Sequence, residues 1–107
     1  MGQKIGVIGQ GYVGLPIAIA AAKSGYSVTG VDIDENKVVK LNQGISVVED
    51  ISDVQLFEQL QNGTYRATSN YEDLKASTEI TNTSVNVAFK YPYHCMLKYT
   101  DGNYLPD

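Results

Sequence analysis

The chain has 107 residues, enough for one domain with a buried core but hardly for two. It is 43% hydrophobic and 19% charged, which is typical of a globular protein rather than of a fibre, a disordered chain or a membrane protein. The net charge of −4 comes without a basic stripe, which disfavours binding to nucleic acid or to an anionic membrane.

Cysteine content and the apolar start bear on where the protein works. Cys95 is the only cysteine, so no internal disulfide can form and a reducing cytoplasm is the expected location. The segment LPIAIAAA, residues 15–22, resembles a signal-peptide core, but it is too short to cross a bilayer. It also follows a glycine pattern that explains it better, so we expect no targeting segment and no membrane contact.

The hydrophobic pattern predicts alternating strands and helices in the first three quarters of the chain. In chain order it indicates a strand over 4–8, a helix over 12–24, a strand over 27–32, a helix from 35 to about 42, a helix over 53–61, a strand over 64–68 and a short helix through 75. Such alternation is typical of a parallel sheet with right-handed crossovers. We expect the strand order 3-2-1, with room for a fourth strand beside the first.

Several residue types mark where these helices begin and end. Pro16 suits a first helical turn, because its missing N–H would have no helical partner there. Gly25 is a natural C-terminal stop, and Asp34 can cap the second helix. The segments SDVQ, residues 52–55, and SNYE, residues 69–72, both match the capping-box pattern.

The composition changes after residue 80. The remaining segment carries four of the eight tyrosines together with the only histidine and the only cysteine. Apolar residues alternate there at Val85, Val87 and Phe89, which indicates one further strand. Beyond Tyr91 no periodicity predicts an element.

A G-x-G-x-x-G motif lies between the first predicted strand and the first predicted helix, which is the context that a dinucleotide fingerprint requires. Gly9 permits the tight turn, Gly11 lets a pyrophosphate approach the backbone, and Gly14 allows the helix to pack closely. Tyr12 and Val13 follow Gly11, so their backbone N–H groups can meet the phosphates at the start of the helix.

Asp32 ends the second predicted strand, where the fingerprint places its acidic residue. Its carboxylate can accept hydrogen bonds from the adenosine-ribose hydroxyls, and it would repel a 2′-phosphate. NAD is therefore expected rather than NADP, since no arginine follows to reverse the preference. The alternative is that the glycines only form a turn and that Asp32 is a surface acid or a helix cap, a role that suits Asp34 better.

These residues resemble the N-terminal end of the UDP-glucose/UDP-N-acetylmannosamine dehydrogenases, the UDP-sugar 6-dehydrogenases. The segment GYVGLP, residues 11–16, is the most specific part, and VDIDENKVVKLNQG, residues 31–44, also matches. The segment NGTYRATSNYEDL, residues 62–74, is similar to the region before the family's fourth strand. VEDISD, residues 48–53, leans toward the enzymes of N-acetylated UDP-hexosamines. The resemblance covers about residues 3–79.

The resemblance implies oxidation of a sugar C6 alcohol to a carboxylate in two NAD-dependent steps, with a cysteine that holds a thioester intermediate. Family chains are several times longer, and they add a UDP-sugar domain and a dimer helix. After residue 79 this sequence departs from the family: the V-P-T-P-like turn, the glycine-rich cysteine segment and the catalytic lysine are absent. We therefore expect a truncated or frameshifted chain without catalytic residues; the alternative is a genuine divergent ending.

Cys95, with its neighbour His94, and Arg66 are the remaining candidates for chemistry. Cys95 lies among bulky residues, and its neighbour His94 would point to the opposite face of a strand, so neither catalysis nor a metal site is expected. Arg66 is the only arginine. It admits two interpretations, a residue near a phosphate or the sheet edge, and a solvated charge.

The sequence thus predicts an α/β fold: a partial Rossmann domain over residues 1–80, with a small parallel sheet flanked by helices, and an irregular tail over 81–107. The predicted function is the NAD-binding portion of a UDP-sugar 6-dehydrogenase that binds NAD without turnover; a UDP-sugar would need the missing domain. The alternative is a stand-alone nucleotide-binding or regulatory module, or an inert gene fragment. An open sheet edge makes self-association a further hypothesis.

Overall fold

A parallel β-sheet organises the computed structural model, which describes residues 3–82 and 97–99. Its strands are β1 Lys4–Ile8, β2 Ser27–Val31, β3 Tyr65–Thr68, β4 Glu79–Asn82 and β5 Leu97–Tyr99. The helices are α1 Gly14–Lys23, α2 Glu35–Asn42 and α3 Asp53–Asn62, and a 3₁₀ helix covers Tyr71–Leu74. The strand order β3-β2-β1-β4-β5, with every neighbouring pair parallel, confirms the predicted 3-2-1 order and the strand beside the first.

Boundaries differ from the prediction mainly around the glycine motif and after the third strand. Helix α1 begins at Gly14 rather than at residue 12, because residues 11–13 form the turn that leads into it. The strand expected at residues 85–89 lies outside the described residues. The structure has β4 directly before that segment and β5 after it, at a place where no periodicity predicted a strand.

The hydrophobic core lies on one face of the sheet, where α1 packs on β1 and β2 and α3 packs on β3 and α1. Its buried members include Val7, Leu15, Ala18, Ile19, Ala22, Val28, Leu41, Leu56 and Ala67. Successive strand residues point to opposite faces. Gly6, next to Val7, therefore faces the other side, where Leu74 of the 3₁₀ helix occupies the space that a side chain at Gly6 would need.

The helix starts show which capping signals were correct. Asp34 caps α2 by accepting from the N–H groups of Asn36 and Lys37, and the capping box predicted at residues 52–55 is formed at α3. The second predicted box, at residues 69–72, is wrong. The cap there is Asn70, whose side chain accepts from Glu72 N–H at 3.0 Å, because the element is a single tight 3₁₀ turn.

Strand β3 is at one edge of the sheet, and a side chain of α2 covers part of that edge. Asn42 donates from Nδ2 to the carbonyl oxygen of Ala67 at 2.9 Å and accepts from Ala67 N–H at its Oδ1, also at 2.9 Å. These are the two kinds of bond that an additional strand would make. The β3 edge of the sheet is thus partly closed from within the chain.

Candidate functional site

The predicted site residues meet at the carboxyl ends of β1 and β2. The loop of Gly9 to Val13 joins β1 to α1, and Asp32 directly follows β2. Strand β1 lies between β2 and β4, so the direction of strand addition reverses at β1. In open parallel sheets, the crevice at such a reversal is where ligands bind.

Gly9 makes the turn that the motif requires. Its φ of 93° lies in the left-handed region, which favours glycine. Its N–H donates to the carbonyl oxygen of Val31 at 2.6 Å, which ties the turn to the last residue of β2. The start of the turn is therefore fixed by its covalent connection to β1 and by this hydrogen bond to β2.

The outer part of the loop is open. A Cβ at Gly11 would meet no protein atom within 4 Å, and Tyr12 and Val13 are 74% and 51% exposed. The first helical bond of α1 runs from Leu15 N–H to Gly11 C=O at 3.1 Å, and no side chain caps the helix at Val13. The N–H groups before Leu15 thus precede the helical ladder, and they carry the positive end of the helix dipole.

Gly14 is the first residue of α1, and it is buried. It lies at the junction of the loop and the helix, next to the fully buried Leu15. The third glycine of the motif is therefore part of the packed helix, whereas the second, Gly11, is on the open side of the loop.

Asp32 is 8% exposed and is bonded to the glycine loop. Its Oδ2 accepts from the backbone N–H of Gln10 at 2.8 Å, and its Oδ1 accepts from Asp34 N–H at 3.0 Å. The interpretation of Asp32 as a free surface acid is thereby excluded. Backbone donors from both sides fix the carboxylate against the loop.

Sequence reasoning missed Lys37, whose Nζ lies 3.3 Å from Asp32 Oδ2. The predicted preference for NAD depended on the carboxylate of Asp32 and on the lack of an arginine after it. The available signal was the cap: Asp34 starts α2, so Lys37 lies in the first turn, close to the end of β2. An ammonium beside the carboxylate reduces the repulsion that Asp32 alone would exert on a 2′-phosphate.

Gln10, the second residue of the motif, was also missed. Its side chain is completely buried beneath the loop, and its Nε2 donates to the carbonyl oxygens of Val7 and Gly9. The hydroxyl of Tyr65 in β3 donates to Gln10 Oε1 at 2.7 Å. Burial, and secondarily the charge of Asp32, raises the pKa of Tyr65 above its usual value, so this hydroxyl stays protonated.

Arg66, another candidate from the sequence, does not join this site. The Arg66 guanidinium lies 3.6 Å from Oδ2 of Asp73, and together with Lys4 both residues line a pocket on the opposite face of the sheet. His94 and Cys95 lie outside the described residues. Within residues 3–82 and 97–99, no three potential metal ligands cluster, and no helix is long and apolar enough to cross a bilayer.

Comparison with known proteins gives the family. Residues 3–103 match the UDP-glucose/GDP-mannose dehydrogenase family, NAD binding domain. The chain belongs to this family. NAD is accordingly the cofactor of its Rossmann domain, and the family is one of oxidoreductases. The matched region extends beyond residue 79, where the sequence resemblance ended.

Individual relatives agree with the family. A UDP-N-acetyl-D-mannosamine dehydrogenase of Pyrococcus horikoshii is 44% identical over 75 residues, which are 69% of this chain and 18% of the relative. The UDP-glucose 6-dehydrogenase AglM of Haloferax volcanii is 37% identical over 71 residues, 66% of this chain and 16% of the relative. The chain thus spans less than a fifth of the length of these relatives.

Solved structures show the same fold. A UDP-D-ManNAc dehydrogenase from Pyrococcus horikoshii superimposes with a TM-score of 0.72 at 40% identity, over 76% of this chain and 20% of the other. A GDP-mannose dehydrogenase from Pseudomonas aeruginosa, solved as a ternary complex, gives 0.71 at 28% identity, over 80% and 20%. The predicted α/β fold of Rossmann type is therefore confirmed.

Proposed function

We propose that this chain is the NAD-binding portion of a UDP-sugar 6-dehydrogenase, and that the cofactor is held by Gly9, Gly11, Tyr12, Val13, Gly14 and Asp32. The observation that carries the assignment is the hydrogen bond from Gln10 N–H to Asp32 Oδ2 at 2.8 Å. It supports the proposal because Asp32, the expected ribose acceptor, is bonded to the expected phosphate loop at the carboxyl edge of adjacent parallel strands.

Each part of the loop has a role in this proposal. The N–H groups of Tyr12 and Val13 bind the pyrophosphate, and the bare backbone at Gly11 leaves room for it. Asp32 accepts from the adenosine ribose. A carboxylate offers about four lone-pair positions, and the N–H groups and ammonium around it use only part of that capacity. Lys37 can then donate to the same ribose or turn toward solvent.

Isothermal titration calorimetry with NAD tests the site. Removing a charged hydrogen-bond acceptor in Asp32→Ala is expected to weaken NAD binding by roughly ten- to a hundredfold, equivalent to about 1.5–3 kcal/mol. Glu58→Ala removes the same charge from an exposed position of α3, and it serves as the matched control. The fitted stoichiometry reports how much protein is folded. The absence of heat from the unaltered chain, or unchanged binding by Asp32→Ala, would contradict the site.

The charge of Asp32 can be tested apart from its shape. Asp32→Asn keeps the size of the side chain and one oxygen acceptor but removes the negative charge. We expect it to narrow the preference for NAD over NADP, because the repulsion of the 2′-phosphate is lost. An unchanged ratio of the two dissociation constants would show that the carboxylate does not set the preference.

The wider activity is also a proposal. The relatives in the comparison are named for UDP-N-acetyl-D-mannosamine and UDP-glucose, and they are several times longer than these 107 residues. We infer that residues 1–80 form the NAD-binding unit, that residues 81–107 are a divergent tail that adds strand β5 to its sheet, and that the 107 residues alone bind NAD without oxidising a UDP-sugar. NADH formation from either UDP-sugar and NAD, followed by absorbance, would contradict this inference.

We also propose a cytoplasmic location, and self-association is a further hypothesis. A single cysteine suits the reducing cytoplasm. Self-association, if it uses the β3 edge, must displace Asn42 from Ala67, because those bonds occupy the positions that a second chain would take. Light scattering over a range of protein concentrations measures whether the chain associates at all.

A further inference from the structure

A buried polar pair lies directly beneath the glycine loop. The Gln10 side chain has no exposed surface, and its Nε2 lies 3.0 Å from the carbonyl oxygen of Val7 and 2.9 Å from that of Gly9. Those carbonyls are on the two sides of the turn between β1 and the loop. The side-chain amide of Gln10 thus bridges the end of β1 and the start of the loop.

Tyr65 of β3, which lies two strands away from β1, sets the orientation of this amide. Tyr65 is 3% exposed, and its hydroxyl donates to Gln10 Oε1 at 2.7 Å. The hydroxyl passes over Gly30 of β2, where a Cβ would lie 2.9 Å from Tyr65 Oη and overlap Gln10. With Oε1 bonded to a donor, Nε2 must face the two carbonyls.

We propose that the Tyr65–Gln10 pair is a positioning device for NAD, which holds the loop and Asp32 in their binding arrangement. This inference rests on the proposed NAD site. Neither side chain touches the cofactor in it. They act through the backbone of Gln10, whose N–H bonds to Asp32 Oδ2, and through Gly9, whose carbonyl the amide fixes.

The chemistry explains why polar groups occupy an otherwise apolar core. A buried amide that lacks hydrogen-bond partners is destabilising, so an apolar residue would be simpler if packing were the only need. The pair instead adds directional bonds at the point where the loop leaves β1. Such bonds restrict the loop to one geometry, and a preorganised loop binds its ligand more tightly.

Three variants of the full chain test the inference by calorimetry with NAD: Tyr65→Phe, Gln10→Leu and the double variant. Tyr26→Phe removes a hydroxyl from a half-exposed tyrosine and is the control. We expect Tyr65→Phe to weaken NAD binding by roughly tenfold, the equivalent of about 1.4 kcal/mol, while the fitted stoichiometry and the control stay unchanged.

The double variant separates positioning from stability. Leucine opposite phenylalanine removes the buried Oε1 that Tyr65→Phe alone leaves without its donor, although the carbonyl oxygens of Val7 and Gly9 lose the bond from Nε2. Thermal stability should therefore recover in part relative to Tyr65→Phe, whereas NAD affinity should stay weak. Recovery of both together would show a purely structural role and overturn the inference. If Tyr65→Phe does not fold, the double variant carries the test, and an unaltered dissociation constant would overturn the inference.

The outcomes also distinguish this inference from the proposed site. Normal NAD binding by the unaltered chain together with equal affinity in Tyr65→Phe would refute the positioning role and leave the site intact. No binding by the unaltered chain and by Tyr26→Phe would refute the site, and the positioning role with it.

Discussion

Gly30 is the position where a single added methyl group should have the clearest effect. A Cβ there would overlap Oε1 and Cδ of Gln10 and lie 2.9 Å from Tyr65 Oη. Both side chains are buried and hydrogen-bonded to each other, so neither can swing into solvent. The φ of Gly30 is not positive, so the backbone itself would accept alanine. The perturbation of Gly30→Ala is therefore confined to packing.

The expected loss follows from two opposing contributions. Overpacking a buried position costs about 1–3 kcal/mol. Replacing glycine by alanine within a strand returns about 0.5–1 kcal/mol, because the unfolded chain loses conformational freedom. The Cβ would overlap two buried atoms of Gln10, so the upper part of the overpacking range applies, about 2–3 kcal/mol. The net loss of unfolding free energy for Gly30→Ala is then about 1–2.5 kcal/mol. For a domain of this size, that lowers Tm by roughly 5–15 °C.

Far-UV circular dichroism during thermal and urea unfolding measures this loss. Gly11→Ala is the matched control, since its Cβ would meet no atom within 4 Å and its φ is not positive. We expect Gly11→Ala to stay within about 0.5 kcal/mol of the unaltered chain but to bind NAD more weakly. A Gly30→Ala variant as stable as the unaltered chain would refute the packing argument.

Three other substitutions probe the fold. Asn42→Ala removes both bonds to Ala67, so it should lower stability by about 1–2 kcal/mol and increase concentration-dependent association in light scattering. The control Gln43→Ala, at the exposed neighbouring position, should change neither quantity. Gly63→Ala should cost about 1 kcal/mol in urea unfolding, because Gly63 ends α3 at a φ of 73°; an unchanged midpoint would contradict this. The pKa of Tyr65 is raised in the folded state, so an unfolded chain ionises first and stability should fall as pH rises above about 10. Tyr65→Phe should flatten that decline, and an equal slope in both chains would refute the link.

Local signals in the sequence were sufficient for most of the fold. Strand β1 has the predicted bounds, because a short β-branched run stops at a glycine that the turn requires. The cap at Asp34 and the capping box at residues 52–55 also formed as predicted, since those contacts span only a few residues. Strand β5 has no such pattern, and only its pairing with β4 identifies it.

The candidate site was only partly predictable, because some of the contacts that form it join residues that are distant in the sequence. The glycines and Asp32 follow a known spacing, and the structure brings them together. Gln10 and Tyr65 are 55 residues apart in the chain, and Asn42 and Ala67 are 25 apart. Contacts of that kind depend on the register of the sheet, which periodicity does not specify.

Gly30 has a consequence for how sequences of this family can diverge. The side chains of Gln10 and Tyr65 occupy the space next to β2 that a side chain at position 30 would need, and this space is free for them because residue 30 is glycine. A relative with a small residue at position 10 has space for a side chain at position 30, and its residue 65 then needs no hydroxyl. Substitutions at these three positions should therefore covary across the family, although they lie on three separate elements.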